Sequence, residues 1–155
     1  MNLIISTALL DAIRAHADAA GDEECCGLLL GDRAAGAVAS ISVSAIRPAA
    51  NVAANPRHFF EIDPALLLRS HREARAGGPA ILGYYHSHPD GAPVPSPVDA
   101  AMAQGNGDIW LIVGRGGAVR AWRATPAGAL HGRFDSVPLT EHRADHPAAD
   151  RRETP

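Results

Sequence analysis

The spacing of apolar residues along the chain predicts a mixture of helices and strands. Between residues 7 and 20 the apolar positions recur every three or four residues, as they do on one face of a helix. Ser6 or Thr7 can cap this helix, which is expected to run to about Ala20 and to end at Gly21. Two further helices, each opened by a capping residue followed by proline, are predicted at about residues 63–76 and 96–104.

Shorter apolar runs between the helices predict strands. Residues 25–30 are almost wholly apolar, which is typical of a strand buried on both faces, whereas residues 38–46 alternate between apolar and polar positions, as a half-buried strand does. Residues 47–57 and 89–95 are rich in proline and small residues and are predicted to be loops. The predicted strands are residues 25–30, 38–46, 58–62, 80–88, 109–113, 118–123 and 130–134.

Strands and helices in this order predict a single layered α/β domain. A chain of 155 residues has room for one domain with a full hydrophobic core. After Pro138 the chain becomes polar, with further prolines and scattered charges. We therefore expect residues 1–137 to form the domain and residues 138–155 to form a flexible tail.

Charge and cysteine content exclude several classes of function. The formal net charge is −3, which does not predict a nucleic-acid-binding surface, and no apolar run approaches the length of a membrane span. The only cysteines, Cys25 and Cys26, are adjacent, so a disulfide scaffold is excluded and a reducing compartment is expected. The composition thus predicts a cytoplasmic protein that binds neither nucleic acid nor membranes.

Two histidines follow the apolar run of residues 80–85. His86 and His88 are two positions apart, and side chains with this spacing on a strand point to the same face, so both imidazoles can reach one metal ion. Asp99 can supply a carboxylate oxygen as the third ligand. Three protein ligands leave the fourth tetrahedral position for water, which is the arrangement of a catalytic zinc site. We therefore predict one Zn²⁺ per chain with a bound water.

The segment that contains Asp99 also has a purely structural interpretation. Ser96-Pro97-Val98-Asp99 is typical of a helix start, with serine as the cap, proline at the first position and an acid at the third. The two interpretations are compatible. The Ser96 hydroxyl can accept a hydrogen bond from a backbone N–H and still donate its own proton to a substrate oxyanion.

Together with Glu24-Cys25-Cys26-Gly27, these motifs resemble the JAMM/MPN+ metalloprotease family. The pattern of that family is a glutamate before a small residue and Cys-Gly, then His-x-His-Pro, then serine and aspartate at this spacing. Each of these positions is present, and the resemblance covers about residues 3–135. It implies a single three-layer α/β/α domain of the cytidine-deaminase-like fold with a mixed sheet. The activity that it implies is zinc-dependent hydrolysis of peptide or isopeptide bonds.

Hydrolysis at a metal requires a carboxylate that accepts a proton from water and passes it to the leaving amine. Glu23 and Glu24 are both candidates, but adjacent side chains on a strand face opposite ways. The resemblance selects Glu24, which lies three residues before Gly27. The expected catalytic residues are therefore Glu24 and Ser96, and the expected metal ligands are His86, His88 and Asp99.

The resemblance also implies a partner, namely a ubiquitin-like or sulfur-carrier protein that is cleaved after its C-terminal Gly-Gly. The chain lacks room for the large insertions with which longer relatives grip ubiquitin, so it resembles the compact bacterial members. The bond cleaved is an isopeptide bond to lysine, a linear peptide bond or the link between a sulfur carrier and cysteine, and the sequence leaves this choice open. A homodimer is one option for the assembly.

Two other classes of protein share the implied fold. A zinc nucleobase deaminase needs a Cys-x-x-Cys motif for its thiolate ligands, and this chain has none. A non-catalytic MPN scaffold subunit would lack one or more of the ligands, whereas His86, His88, Asp99 and Glu24 are all present. The sequence therefore favours an enzyme over both alternatives.

Overall fold

A computed structural model describes residues 1–33 and 40–143 of the chain. These residues form one eight-stranded sheet, three α-helices and a 3₁₀ turn at Arg115–Gly117. The strands are β1 (Asn2–Ser6), β2 (Cys26–Arg33), β3 (Ser40–Ala49), β4 (Ala80–Ser87), β5 (Ile109–Val113), β6 (Val119–Ala124), β7 (Phe134–Val137) and β8 (Leu139–His142). The helices are α1 (Thr7–Ala20), α2 (Pro64–Arg75) and α3 (Pro97–Met102).

The sheet is mixed, with the strand order β7-β6-β5-β4-β2-β3-β1-β8. At its centre, β4 pairs antiparallel with β2 and parallel with β5. Helix α1 packs on one face of the sheet, and α2 and α3 pack on the other. The apolar side chains of α1 belong to one hydrophobic cluster, and those of α2 and α3 belong to a second, separate cluster. The predicted three-layer α/β/α domain with a mixed sheet is thus confirmed.

The two faces of the sheet differ in chemical character. The cluster under α1 is mainly aliphatic and includes Leu10 and Ile13 of the helix. The cluster under α2 and α3 contains Phe60, Trp110 and other aromatic side chains. Successive side chains of β4 alternate between these faces, so the central strand delivers His86 to the aromatic side, at the carboxyl end of the strand.

All three predicted helices are present. Their starts could be predicted because a helix cap depends only on residues that are close in sequence. Each predicted cap accepts a hydrogen bond from a backbone N–H two or three residues further on. The pairs are Ser6 with Leu9 at 3.2 Å, Asp63 with Ala65 at 3.0 Å and Ser96 with Asp99 at 3.1 Å. In the described ranges, no helix is long and apolar enough to cross a membrane.

Three predicted boundaries are wrong. Residues 58–62 are not a strand; they follow a turn, and only Ile62 forms an isolated bridge, with Asn51. Residues 130–134 are largely a turn, and the strand begins at Phe134. The loop predicted from residue 47 starts later, because β3 continues to Ala49. Phe60, Ile62 and Phe134 are buried, but the burial of single apolar residues does not determine the pairing of a strand.

The edge of the sheet contains two strands that were not predicted. β1 and β8 pair in parallel, with Leu3 opposite Leu139 and Ser6 opposite His142. The first residues of the predicted tail therefore belong to the sheet, and the domain extends beyond residue 137. Residues 144–155 of that tail, and residues 38–39 of the predicted second strand, lie outside the described residues.

Gly27 is required by packing on the face of the sheet away from the predicted metal ligands His86 and His88. Its neighbour across the β2–β4 pair is Tyr85, which is fully buried in the cluster under α1. A Cβ atom on Gly27 would overlap the Tyr85 ring. The Tyr85 hydroxyl continues outward to Nδ1 of His16 on α1, at 2.8 Å.

Candidate metal centre

Four polar side chains meet at the carboxyl end of β4. Nε2 of His86 lies 3.0 Å from Nε2 of His88, and these nitrogens lie 3.3 Å and 3.1 Å from the two carboxylate oxygens of Asp99. Glu24 stands slightly further out, with Oε1 4.0 Å from Nε2 of His86. Possible ligand atoms of all four residues lie within 4.8 Å of one another, so this cluster could hold a metal ion.

The donor atoms fit a single tetrahedral ion. Ligands about 2.0–2.1 Å from a tetrahedral zinc are separated from one another by about 3.3 Å. The separations among His86, His88 and Asp99 run from 3.0 to 3.3 Å, which is close to that value. The set of two imidazoles and one carboxylate is also one that zinc accepts at catalytic sites. The separation of Glu24 Oε1 from Nε2 of His86, 4.0 Å, is larger than any of these.

The two adjacent glutamates differ sharply in exposure. Glu24 is 6% exposed and points toward His86, whereas Glu23 is exposed. The two side chains thus point in opposite directions, as expected of neighbours at the start of a strand. Burial raises the pKa of the Glu24 carboxyl to about 7, against the opposing influence of His88.

Asp99 bonds Ser96 through both its backbone N–H and its side-chain carboxylate. Its backbone N–H donates to Oγ of Ser96 at 3.1 Å, and its carboxylate accepts from the backbone N–H of Ser96 at 2.8 Å. The predicted capping box is therefore present, and it holds the carboxylate beside the histidines. Burial alone would raise the pKa of Asp99, but the adjacent His86 and His88 rings and the hydrogen bond from the Ser96 backbone N–H hold that pKa well below its usual range.

The ring of His88 is oriented by the chain that follows it. Its Nδ1 lies 3.0 Å from the carbonyl oxygen of Ala92. Because a carbonyl can only accept, Nδ1 carries the hydrogen and Nε2 of the neutral ring is left with a free lone pair. That lone pair faces Asp99 and His86, as ligation of a metal requires.

The ring of His86 is held by packing instead. It is fully buried, stacks on Phe60 with ring centroids 4.4 Å apart and meets the edge of Trp110 at 5.6 Å. Its Nδ1 has no hydrogen-bond partner in the described part of the chain. Burial lowers the pKa of His86, which favours the neutral ring that can bind a metal.

A cavity of about 280 Å³ opens onto these groups. One wall is the segment of residues 51–62, called here the 51–62 segment, and the other is the loop of residues 88–96, called the 88–96 loop. Glu24 and Ser96 line the cavity between them, together with Arg57, His58 and Gly91. A substrate in this cavity would therefore touch both predicted catalytic side chains.

The sequence analysis did not identify Asn51, which organises the first wall. Its Nδ2 donates to the carbonyl oxygens of Glu24 and Phe59, both at 2.9 Å. Its Oδ1 accepts from the backbone N–H groups of Ala53 and Glu61, both at 3.1 Å. One side chain thus ties the 51–62 segment to itself and to the residue that carries the buried carboxylate.

The second wall is fastened from several parts of the fold. The backbone N–H of Arg115 donates to Gly91 at 2.7 Å, and the indole N–H of Trp122 donates to Pro93 at 3.0 Å. Nε2 of His131 lies 3.1 Å from the carbonyl oxygen of Pro95. Neither the hydrogen bond of Trp122 nor that of His131 was predicted from the sequence.

The two cysteines face opposite sides of the sheet. Cys25 lies in the cluster under α1 and Cys26 in the aromatic cluster, and both are free and buried. The backbone N–H of Cys25 donates to Oγ of Ser87 at 2.9 Å, which ties the start of β2 to the strand that carries the histidines. Neither thiol faces the metal centre as a ligand.

Comparison with known families agrees with this geometry. Residues 6–125 match the family described as prokaryotic homologs of the JAB domain. The chain belongs to this family. A desampylase of Haloferax volcanii is 39% identical over 115 residues, a match that covers 72% of this chain and 79% of that protein. A probable TtuB-protein conjugate cleaving protease of Thermus thermophilus is 32% identical, with coverages of 66% and 64%.

Solved structures show the same fold. A protein from Desulfitobacterium hafniense superposes with a TM-score of 0.76 at 23% identity, covering 92% of this chain and 94% of that one. A JAB1/MPN domain protein from Archaeoglobus fulgidus superposes with a TM-score of 0.52 at 19% identity, covering 91% and 100%. The mixed sheet with helices on both faces is therefore a JAB/MPN fold.

Proposed function

We propose that this protein is a zinc-dependent isopeptidase that cleaves after the C-terminal Gly-Gly of a ubiquitin-like or sulfur-carrier protein. The observation that carries the proposal is the convergence of His86, His88 and Asp99 within 3.3 Å of one another, with the buried Glu24 beside them. Membership of the JAB family and the two relatives, one named for cleaving TtuB-protein conjugates, support the class of reaction.

In this proposal His86, His88 and Asp99 hold the zinc ion. A bound zinc supplies Lewis acidity and lowers the pKa of water from about 16 to about 7, which makes hydroxide available near neutral pH. The chain prepares these ligands in advance, since the Ala92 carbonyl fixes the tautomer of His88 and the capping box fixes the Asp99 carboxylate.

Glu24 is proposed to be the general base and then the general acid. Its carboxylate accepts a proton from the attacking water and later gives that proton to the leaving amine. A carboxyl with a pKa near 7 is suited to both steps at neutral pH, and burial between the histidines and the 51–62 segment provides that shift.

Ser96 is proposed to stabilise the oxyanion of the tetrahedral intermediate. Its Oγ accepts from the backbone of Asp99, which leaves the hydroxyl hydrogen free to point into the cavity. The same capping interaction fixes the position of the oxygen, so this donor does not have to reorganise during the reaction.

The Gly-Gly tail is proposed to lie between the 51–62 segment and the 88–96 loop. A tail without side chains is recognised through its main chain and by the narrowness of its groove. β4 is already paired on both sides, with β2 and β5, so the pairing groups must come from the two walls rather than from a free strand edge.

A test of this proposal uses metal-loaded protein and a ubiquitin-like protein ending in Gly-Gly that is linked to a lysine side chain. We expect about one zinc per chain by metal analysis, and release of the ubiquitin-like protein that stops when the metal is chelated. A matched substrate whose last glycine is replaced by a bulky residue should resist cleavage. Protein that takes up no zinc on titration, or cleaves neither substrate, would refute the proposal.

A further inference from the structure

A second cavity lies next to the metal centre and has no role in the chemistry described so far. It measures about 400 Å³ and lies between α1, the end of β4 and the turn that joins β5 to β6. We infer that this cavity is a subsite for an anionic group, a carboxylate, on the leaving side of the substrate. The inference rests on the proposed function, because it concerns the part of the substrate beyond the bond that is cleaved.

The two cavities are neighbours across a metal-ligating residue. His88 and Pro89 line both of them. A chain bound in the first cavity therefore reaches the second by passing over His88, which is where the bond to be cleaved must lie. The first cavity extends the other way, toward Arg57 and His58 of the 51–62 segment.

The proposed position of the Gly-Gly tail decides which side of the substrate each cavity takes. The tail is proposed to lie between the 51–62 segment and the 88–96 loop, and the first cavity lies there. The second cavity, on the other side of His88, then takes the leaving side. Its lining includes Arg14, Arg115 and one acid, Asp18, which can contact the charges of the amino acid or protein surface that carries the amine.

Arg115 is the cation available to a ligand in this cavity. Arg14 is already engaged, with Nε donating to the Gly117 carbonyl at 2.9 Å and Nη1 paired with Asp11 at 3.2 Å. The Arg115 side chain is exposed and makes no hydrogen bond or ion pair to any residue in ranges 1–33 and 40–143. Asp18 is the single acid in the lining, beside the two arginines.

The turn that carries Arg115 is fixed in place before any ligand binds. Its own backbone N–H donates to Gly91 of the 88–96 loop, and Gly114 packs so closely on Pro93 that a Cβ atom there would lie 2.6 Å from the proline ring. Gly117 accepts the hydrogen bond from Arg14. The backbone position from which the Arg115 side chain reaches the cavity is therefore fixed relative to the 88–96 loop.

The experiment varies only the leaving side. A ubiquitin-like protein ending in Gly-Gly is joined to the lysine of three short amidated peptides, in which the lysine is flanked by glutamate, glutamine or arginine. A fourth substrate joins it to the amino group of free cysteine, whose carboxylate is the other source of the same chemistry. For each we measure kcat/KM with wild type and with Arg115→Ala, Arg115→Glu and Arg115→Lys.

We expect wild type to prefer the glutamate-flanked peptide over the glutamine-flanked one by about two- to fivefold, the size of a partly exposed ion pair. Arg115→Ala should remove the preference, Arg115→Glu should transfer it to the arginine-flanked peptide, and Arg115→Lys should retain most of it. The control is Arg72→Glu, which makes the same change of charge on the exposed face of α2 and should leave the preference unchanged.

The outcomes separate this inference from the proposed function. If wild type cleaves all three peptides at equal rates and shows no preference for the free cysteine substrate that depends on Arg115, or if Arg115→Glu and Arg72→Glu alter the preferences equally, the subsite does not exist, although the isopeptidase does. If metal-loaded wild type cleaves none of the four substrates, both fail. A preference for the free cysteine substrate that depends on Arg115 would support the subsite and identify a free carboxylate as its ligand.

Discussion

The two walls of the cleft are held in place by different kinds of contact. The hydrogen bonds of the 51–62 segment centre on one side chain, Asn51, which bonds its backbone at several points and reaches Glu24, while the buried Phe60 and Ile62 anchor the segment in the core. The 88–96 loop is fastened by Arg115, Trp122 and His131, which come from three separate parts of the fold, and it runs directly into the capping box of α3.

The two walls also differ in the proposed catalytic groups that lie on them. The proposed base lies beside the wall whose hydrogen bonds centre on Asn51, and two of the three proposed ligands, His88 and Asp99, belong to the side that is fastened from three parts of the fold. Ligands must keep one geometry before and after the metal binds, whereas a base must move a proton between two partners. The comparison therefore predicts that metal binding and turnover can be lost separately.

The largest expected effect tests that separation. Glu24→Gln should retain about one zinc per chain but lower the rate of hydrolysis by about 10²–10⁴, because it removes the proton carrier and no ligand. Asp99→Asn should lose both zinc and activity, although asparagine can still accept the capping hydrogen bond. Metal analysis and kinetics on the same preparations check both expectations.

The control for this pair is Glu23→Gln. Glu23 is exposed and its neighbour is buried, so the same chemical change one residue earlier should leave the rate almost unchanged. An inactive Glu23→Gln combined with an active Glu24→Gln would show that the orientation of these two side chains is reversed in the working enzyme.

The next largest effect concerns the wall whose hydrogen bonds centre on Asn51. Asn51→Ala should lower the free energy of unfolding by about 2–4 kcal/mol, because the partly buried carbonyl of Glu24 and N–H of Ala53 lose their partner at about 1–3 kcal/mol each. Chemical denaturation measures the loss. Zinc binding should survive, since none of the ligands is carried by the 51–62 segment.

Asn55→Ala is the matched control. Asn55 lies four residues later in the same segment and is exposed, and its backbone oxygen, not its side chain, accepts hydrogen bonds from His58 and Phe59. Its replacement should change stability by no more than about 0.5 kcal/mol. Equal losses in the two variants would mean that Asn51 has no special part in the wall.

A smaller effect is expected on the opposite wall. His131→Ala removes one hydrogen bond to Pro95 and should cost about 1 kcal/mol or less, because the remaining tethers hold the 88–96 loop in place. His71→Ala, at an exposed position of α2, serves as the control in the same denaturation series. A loss as large as that of Asn51→Ala would remove the contrast between the walls.

The smallest effect uses the cysteines as reporters. Burial raises the pKa of the Cys26 thiol to about 12 and also raises that of Cys25, so neither should react with a thiol reagent at pH 8 while the protein is folded. Sγ of Cys26 lies 3.7 Å from the carbonyl oxygen of Ala50, next to the 51–62 segment. In Asn51→Ala, Cys26 should therefore react before Cys25, as peptide mapping by mass spectrometry would show. Simultaneous reaction would indicate global unfolding instead of local opening.

The sequence predicted those parts of the molecule whose causes are local. The helix starts at Ser6, Asp63 and Ser96 follow from capping chemistry within three residues, and the grouping of His86 with His88 follows from the geometry of a strand. The position of Asp99 beside the histidines could be predicted because residues 96–99 form both a helix cap and a possible ligand motif.

The remaining features depend on contacts between distant parts of the chain. β1 and β8 pair across more than 130 residues, and neither has a pattern long enough to indicate a strand by itself. Asn51 and Asn55 look alike in a loop rich in alanine, asparagine and proline, and only the fold distinguishes them. The hydrogen bonds of Trp122 and His131 to the 88–96 loop are equally invisible before the strands are placed.

The motif that contains Gly27 combines a residue placed for chemistry with a residue required for packing. The glutamate of Glu24-Cys25-Cys26-Gly27 faces the metal centre, but the glycine is required by the Tyr85 ring on the opposite side of the sheet. A descendant that lost its ligands and its chemistry would still need that glycine to fold. The glycine therefore indicates the fold of the domain, and only the proposed ligands and the glutamate indicate its proposed chemistry.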